Sequence, residues 1–223
     1  MAPVVFLSGQ LCSKLLWQHQ HTDHVLELRN HDTMRELATE MLANAPERFA
    51  LVAHGMAGFV AFEIMRLQPE RVENLVLMST LAQADTPKQT GRREGYLRLV
   101  EEGRFADIIE ERIPLLIHPD RREDSVLTGT LRKMARDIGE QGFLNQQRAI
   151  MSRPDSRPGL GAIACPVLLV FGHADGITTI EHQNEMLSAI PDARLEIVED
   201  SGHMIPLERP ERTNAILRGF LGS

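Results

Sequence analysis

Cysteine, aromatic side chains and positive charge are all scarce in this chain, and each shortage closes off a class of protein. Two cysteines, Cys12 and Cys165, are too few and too far apart for a disulfide framework, so a reducing cytoplasm is the expected compartment. Aromatic residues make up 4%, which argues against a site for a large stacked ligand. Lys and Arg number 24 against 31 Asp and Glu, a formal net charge of -7, so there is no chain-wide basic field for nucleic acid. No apolar run approaches the roughly 20 residues of a membrane-spanning helix. The opening MAPVVFLSG has no basic segment ahead of an apolar one and reads as a strand, so no signal peptide is expected either. What is present is an ordinary globular balance, 43% hydrophobic and 25% charged, in 223 residues, enough for one domain with a substantial core.

Short apolar runs that end in small or turn residues recur along the chain, as buried parallel strands do: Pro3 to Leu7, Phe49 to Ala53, Val72 to Ser79, Pro166 to Gly172 and Ala193 to Val198. Helical patterns separate them. One opens with the capping box Thr33-Met34-Arg35-Glu36 and carries Met34, Leu37, Met41 and Leu42 on one face. Others run from Met56 to about Leu67, from about Ile180 to Ile190, and from Pro210 to Phe220. Strands alternating with helices predict an α/β fold, a mostly parallel sheet flanked by helices. The middle is helical only, with expected helices over about Tyr96 to Ile117 and Thr128 to Met151, and it ends at the turn cluster RPDSRPG. The expected organisation is therefore a core over 1–86 and 154–223 with a compact helical cap over 87–153 inserted in it.

Three loops follow strands and should open on one edge of the sheet, where α/β ligand sites lie. The first is the turn in LVAHGMAGFV, centred on Gly55. The second holds Asp175, just beyond VLLVFG, and the third holds His203, after ARLEIVED. Their chain order is turn, acid, base.

At these residues the sequence resembles the α/β-hydrolase family, most closely its small bacterial esterase- or lipase-like members with a compact cap. The elbow G-x-S-x-G followed by an acid and a histidine matches in order and context. FLSGQLCSKLLW looks like the family's early HG-x loop followed by a Trp. PERVENLVLMST follows the elbow helix, and IPDARLEIVEDSGHMIPLERPE is the most specific stretch. The resemblance implies that His203 is the general base, that Asp175 orients its imidazole, and that the backbone N–H groups of Met56 and Gln10 form an oxyanion hole. It also implies a small-molecule ester or similar acyl substrate bound under the cap, with no cofactor, no metal, and neither nucleic acid nor membrane as partner; oligomeric state is left open. The departures are specific. Gly55 stands where the family has its nucleophilic Ser, Ser8 replaces the usual His before Gly9, and Ala53 and Ala57 take the outer elbow positions. The segment from Trp17 to Asp32 is also short for the family's second βα passage.

Gly55 can hold a left-handed turn freely, but it cannot attack a carbonyl. Loss of a triad nucleophile costs on the order of 10⁶ in turnover in a well-studied protease. Four readings follow: an inactivated serine hydrolase, one nucleotide change from some Ser codons; a natural Asp–His enzyme that acts through water or by direct proton abstraction (hydrolase, lyase, isomerase or cofactor-free oxygenase); a pseudoenzyme that binds a small ligand; or a protein–protein scaffold.

Other residues invite sharper roles than the pattern supports. His54 neighbours Gly55, but adjacent side chains there point apart, so a structural or pocket-edge role is expected. Cys12 lies near the proposed oxyanion loop and could in principle replace the hydroxyl, yet a buried small hydrophobe is the default reading. HQHTDHVLELRNHD holds His19, His21, His24 and His31 with Asp32, at a spacing that fits no compact zinc motif, and reads as a polar exposed loop. GRREGYLRLVEEGR reads as a charged helix face. Leu115, Leu116, Phe143 and Leu144 are candidates for an apolar pocket wall.

Overall fold

The computed structural model describes residues 2–22 and 24–222. Six strands form one sheet: β1 (Val4–Leu7), β2 (His24–Leu26), β3 (Phe49–His54), β4 (Val72–Met78), β5 (Val167–Gly172) and β6 (Ala193–Val198), in the order β2-β1-β3-β4-β5-β6. Every pairing among them is parallel. The order turns back at β1, with β2 on one side and β3 on the other, and a crevice opens beyond the carboxyl ends of strands at such a switch point.

Alternate strand residues face two separate cores. Val5, Leu7, Leu51, Ala53, Leu75 and Leu77 pack with α1 (Met34–Asn44), α2 (Ala57–Leu67) and α6 (Ile180–Ala189). Phe6, Val52, Val76, Met78, Leu168 and Val170 pack on the other face. There they meet α8 (Pro210–Leu221) and three helices that lie between β4 and β5 in the chain: α3 (Pro87–Glu101), α4 (Phe105–Leu116) and α5 (Ser125–Ser152). Burial on both faces explains why β3 and β5 are continuous apolar runs rather than alternating ones.

Local chemistry sets the helix ends. Thr33 caps α1: its hydroxyl oxygen accepts from the Glu36 N–H at 3.2 Å and its O–H donates to the Glu36 carboxylate at 2.8 Å, so half of the expected box forms, without the return bond from the Thr33 N–H. Thr86 and Gln89 close a full box at the start of α3, with Pro87 at the first helical position.

Three expectations are corrected. The helix expected from Tyr96 to Ile117 is two helices, broken at Gly103. There φ is +73°, Gly103 N–H donates to the Val100 carbonyl (2.9 Å) and Arg104 N–H to the Leu99 carbonyl (2.8 Å), a Schellman end that only glycine adopts without strain. The second expected helix of the insertion, Thr128 to Met151, runs Ser125–Ser152 and bends at Gly139, whose φ is +74°. The histidine-rich stretch is not loop throughout either, since His24–Leu26 adds the three-residue edge strand β2 beside β1. An edge this short exposes little unpaired backbone, which is how the brief Trp17–Asp32 passage completes the sheet.

Candidate functional site

The loops after β1, β3, β5 and β6 converge as their order requires. Gly55 ends β3 with φ +55°, and its N–H donates to the Met78 carbonyl of β4 at 2.9 Å. A Cβ built on Gly55 would lie 3.2 Å from His203 Nε2. On the other side of that ring, His203 Nδ1 lies 2.9 and 3.0 Å from the two Asp175 carboxylate oxygens. Asp175 is also a turn cap: it accepts from the N–H groups of Ile177 (2.7 Å) and Thr178 (3.0 Å) and from the Thr178 hydroxyl (2.7 Å). Burial pushes the Asp175 carboxyl up, but His203 and these donors outweigh it and hold the group below the usual carboxylate range. Asp175 therefore stays ionised in the fold, able to fix the imidazole with its proton on Nδ1 and its free lone pair on Nε2, toward Gly55.

Met56 is the N-cap of α2, so its N–H is one of the helix's unpaired donors at the positive end of the helix dipole. Gln10 sits in the turn after β1, where Cys12 N–H bonds back to the Gly9 carbonyl at 3.1 Å. Among the hydrogen bonds of the described residues, none uses the N–H of Met56 or Gln10 as donor. Both residues line one cavity with Gly55 and His203, whose empty space, mouth included, is about 790 Å³. Close approach dictates two glycines nearby. A Cβ on Gly58 would fall within 2.2 Å of the Thr80 hydroxyl, and one on Gly9 within 2.8 Å of His54 Nδ1.

The loop that carries His203 is tied down from two sides. His54 is fully buried, and its Nε2 lies 2.9 Å from the His203 carbonyl, which only a donor can satisfy. Its Nδ1 has no partner, so burial and the neighbouring His203 push its pKa down to about 3 and keep it neutral. From the insertion side, Glu208 of α7 (Ile205–Glu208) accepts from Gly202 N–H (2.9 Å) and His118 N–H (2.7 Å). Met204 N–H also donates to the Leu116 carbonyl at 3.1 Å.

The remaining candidates fall where their environments put them. Cys12 is buried among apolar side chains, its thiol donates to the Gln10 carbonyl (3.3 Å), and burial pushes its pKa up to about 12, so it offers no thiolate. Leu115 and Leu116 line the cavity, whereas Phe143 packs against Phe105 and Tyr96 inside the core, with Leu144 beside that cluster. Among the described residues no group of three or more His, Cys, Asp or Glu is placed to hold a metal ion, and no helix is long and apolar enough to cross a membrane.

The arginines escaped the sequence reading. Arg92 and Arg93, assigned there to a charged helix face, line the cavity, as do Arg112 and Arg153. One signal was legible: Arg112 interrupts the apolar stripe of Phe105, Ile108, Ile109, Ile113 and Leu116 on α4, where a charge is out of place without a reason.

Comparisons with known proteins show the family and the fold. The chain is 30% identical over 190 residues to the putative non-heme bromoperoxidase BpoC of Mycobacterium tuberculosis, a match covering 82% of this chain and 71% of that one. It is 27% identical over 205 residues to a pimeloyl-[acyl-carrier protein] methyl ester esterase of Nitrosomonas europaea, covering 85% and 81%. Among solved structures, a thermophilic esterase from Thermogutta terrifontis, with malate bound, superposes with a TM-score of 0.91 at 25% identity, covering 100% of this chain and 90% of that one. The family model described as the alpha/beta hydrolase family matches residues 4–216, and the chain belongs to that family.

Proposed function

We propose that the protein is an acyl hydrolase for a small ester or similar substrate, bound in the cavity between the sheet edge and helices α3 to α5, which act as its cap over 87–153. The observation that carries the reading is the line Asp175–His203–Gly55: an ionised carboxylate on Nδ1, and Nε2 facing the position where a nucleophile would stand. With glycine there, the attacking group is a substrate water. His203 Nε2 takes its proton, hydroxide adds to the carbonyl carbon, and the oxyanion accepts from the N–H groups of Met56 and Gln10. When the tetrahedral adduct collapses, the same proton passes from His203 to the leaving oxygen. Cavity and oxyanion donors without a nucleophile sustain an advantage of only about 10³–10⁴ over water in a well-studied protease. A slow enzyme is therefore expected.

The test is p-nitrophenyl ester turnover by the chain itself, by Gly55→Ser and by His203→Ala. Gain on adding the hydroxyl supports an acyl-hydrolase site, and loss on His203→Ala of a reaction the glycine form performs supports the water mechanism. A folded Gly55→Ser protein with no gain sinks the reading. The missing side chain at Gly55 favours one alternative, a small-ligand binder without turnover. Ligand-induced thermal stabilisation with no hydrolysis in either form identifies that case.

A further inference from the structure

The cavity wall carries more hydrogen-bond donors and positive charge than it can satisfy. Arg92, Arg93, Arg112 and Arg153 line it, and neither Asp nor Glu does. Two of the four are partly compensated, because Asp85, nearly inaccessible behind the wall, meets Arg93 Nε at 2.6 Å and Arg153 Nη1 at 2.8 Å. One carboxylate thus serves two guanidinium groups. Arg153 is further fixed by the Phe59 ring, 4.2 Å from its guanidinium carbon, and by the Gln83 and Ile150 carbonyls.

Arg112 has no such compensation. Among the described residues no carboxylate pairs with it, its Nε is buried without an acceptor, and its guanidinium lies 5.9 Å from the Tyr96 ring centroid. Burial, joined by the like charges of Arg93 and Arg92 and only partly offset by Tyr96, pulls it below the ordinary arginine range. The Gln10 side-chain Nε2, on the same cavity wall, is a second buried donor without an acceptor. Buried donors are nearly always paired in a resting fold, so two left open on one wall point to an acceptor supplied by a ligand.

We propose that the acyl compound taken by this site carries a free carboxylate, held by Arg112 with Gln10 beside it, so that the substrate is a monoester or lactone of a short dicarboxylic acid. The planar fork of a guanidinium matches the two oxygens of a carboxylate. Arg112 and Gln10 line the same cavity as Gly55 and His203, and the Leu116 carbonyl of α4 bonds to Met204, the residue after His203, so one short ligand touches both ends. The proposal rests on the acyl-hydrolase reading for what happens at the other end of the ligand, but the carboxylate site stands on its own donors.

Binding to the glycine form tests it directly, by calorimetry or thermal shift with succinate, glutarate, monomethyl glutarate, dimethyl glutarate and inorganic phosphate. The expected result is that glutarate and its monoester bind at least about ten-fold tighter than the diester, a preference that collapses to about one in Arg112→Met and is partly kept in Arg112→Lys. Equal affinity for mono- and diester overturns the proposal, and so does phosphate binding as tightly as glutarate. The two levels separate in the Gly55→Ser background. Hydrolysis of p-nitrophenyl acetate with no preference for a p-nitrophenyl hemiglutarate overturns the carboxylate site and leaves the hydrolase. Carboxylate binding by a Gly55→Ser protein that hydrolyses no ester keeps the site and overturns the hydrolase.

Discussion

His54 Nε2 donates to the backbone carbonyl of His203 at 2.9 Å, so the strand that presents Gly55 also holds the loop that presents the base. The two rings meet edge to face with centroids 4.9 Å apart. His54 thus ties the elbow strand to the loop of the base, and its effect is separable from catalysis because its hydrogen bond goes to the His203 backbone and not to either ring nitrogen of the base.

Replacing His54 by Phe keeps the ring and removes the donor. The orphaned buried carbonyl costs about 1–3 kcal/mol of stability. In the Gly55→Ser background the loss should appear in kcat more than in KM, since His203 shifts while the rest of the pocket stays. Chemical denaturation and steady-state kinetics check both; a variant with unchanged stability and kcat would show that the bond does not position the base.

The same residue governs the acid limb of stability. Unfolded histidine takes a proton near pH 6.5, whereas folded His54 does so only at about 3. Between those values the unfolded chain holds the extra proton, so stability falls as pH falls, by about 1.4 kcal/mol per pH unit. Asp175, held low, adds to this only below its ordinary value of 3.8. Glu208, which burial pushes up from 4.5, acts oppositely, its share of stability fading as pH rises through its folded value. The difference in slope between wild type and His54→Phe from pH 6 to 4.5 isolates His54. Parallel slopes would contradict the neutral buried imidazole.

Gly55→Ser places a Cβ 3.2 Å from His203 Nε2 at φ +55°. Left-handed backbone costs a non-glycine residue about 1–3 kcal/mol, offset by roughly 0.5–1 kcal/mol of unfolded-chain entropy. A net loss of about 0.5–2 kcal/mol is expected, together with a rise in ester turnover of at least ~10³-fold, within the roughly 10⁶ that such a hydroxyl is worth elsewhere. Calorimetry and p-nitrophenyl ester assays read the two separately.

Glu208→Ala strips acceptors from the Gly202 and His118 N–H groups together. It should cost about 2–5 kcal/mol and loosen the His203 loop from α4. Glu208→Gln, which keeps one acceptor oxygen, should recover a large part of that loss. If the two variants proved equally unstable, the loss would belong to the charge rather than to the two bonds.

What the sequence determined by itself was whatever depends on neighbours along the chain. The strands at 49–54 and 167–172 follow from apolar runs too short for helices, α1 from its Thr33 cap and one apolar face, and the elbow from small residues between strand and helix. Asp175 and His203 were legible because loops after parallel strands share one edge. Tertiary structure alone decided the rest, because it depends on residues far apart in sequence. Asp85 lies between two arginines 60 residues apart in the chain, Arg93 and Arg153. The partner of His54 is a carbonyl 149 residues away. A charge at a helical position reads as solvated until the packing of α3, α4 and α5 turns it inward, and only then do four arginines become the wall of one cavity.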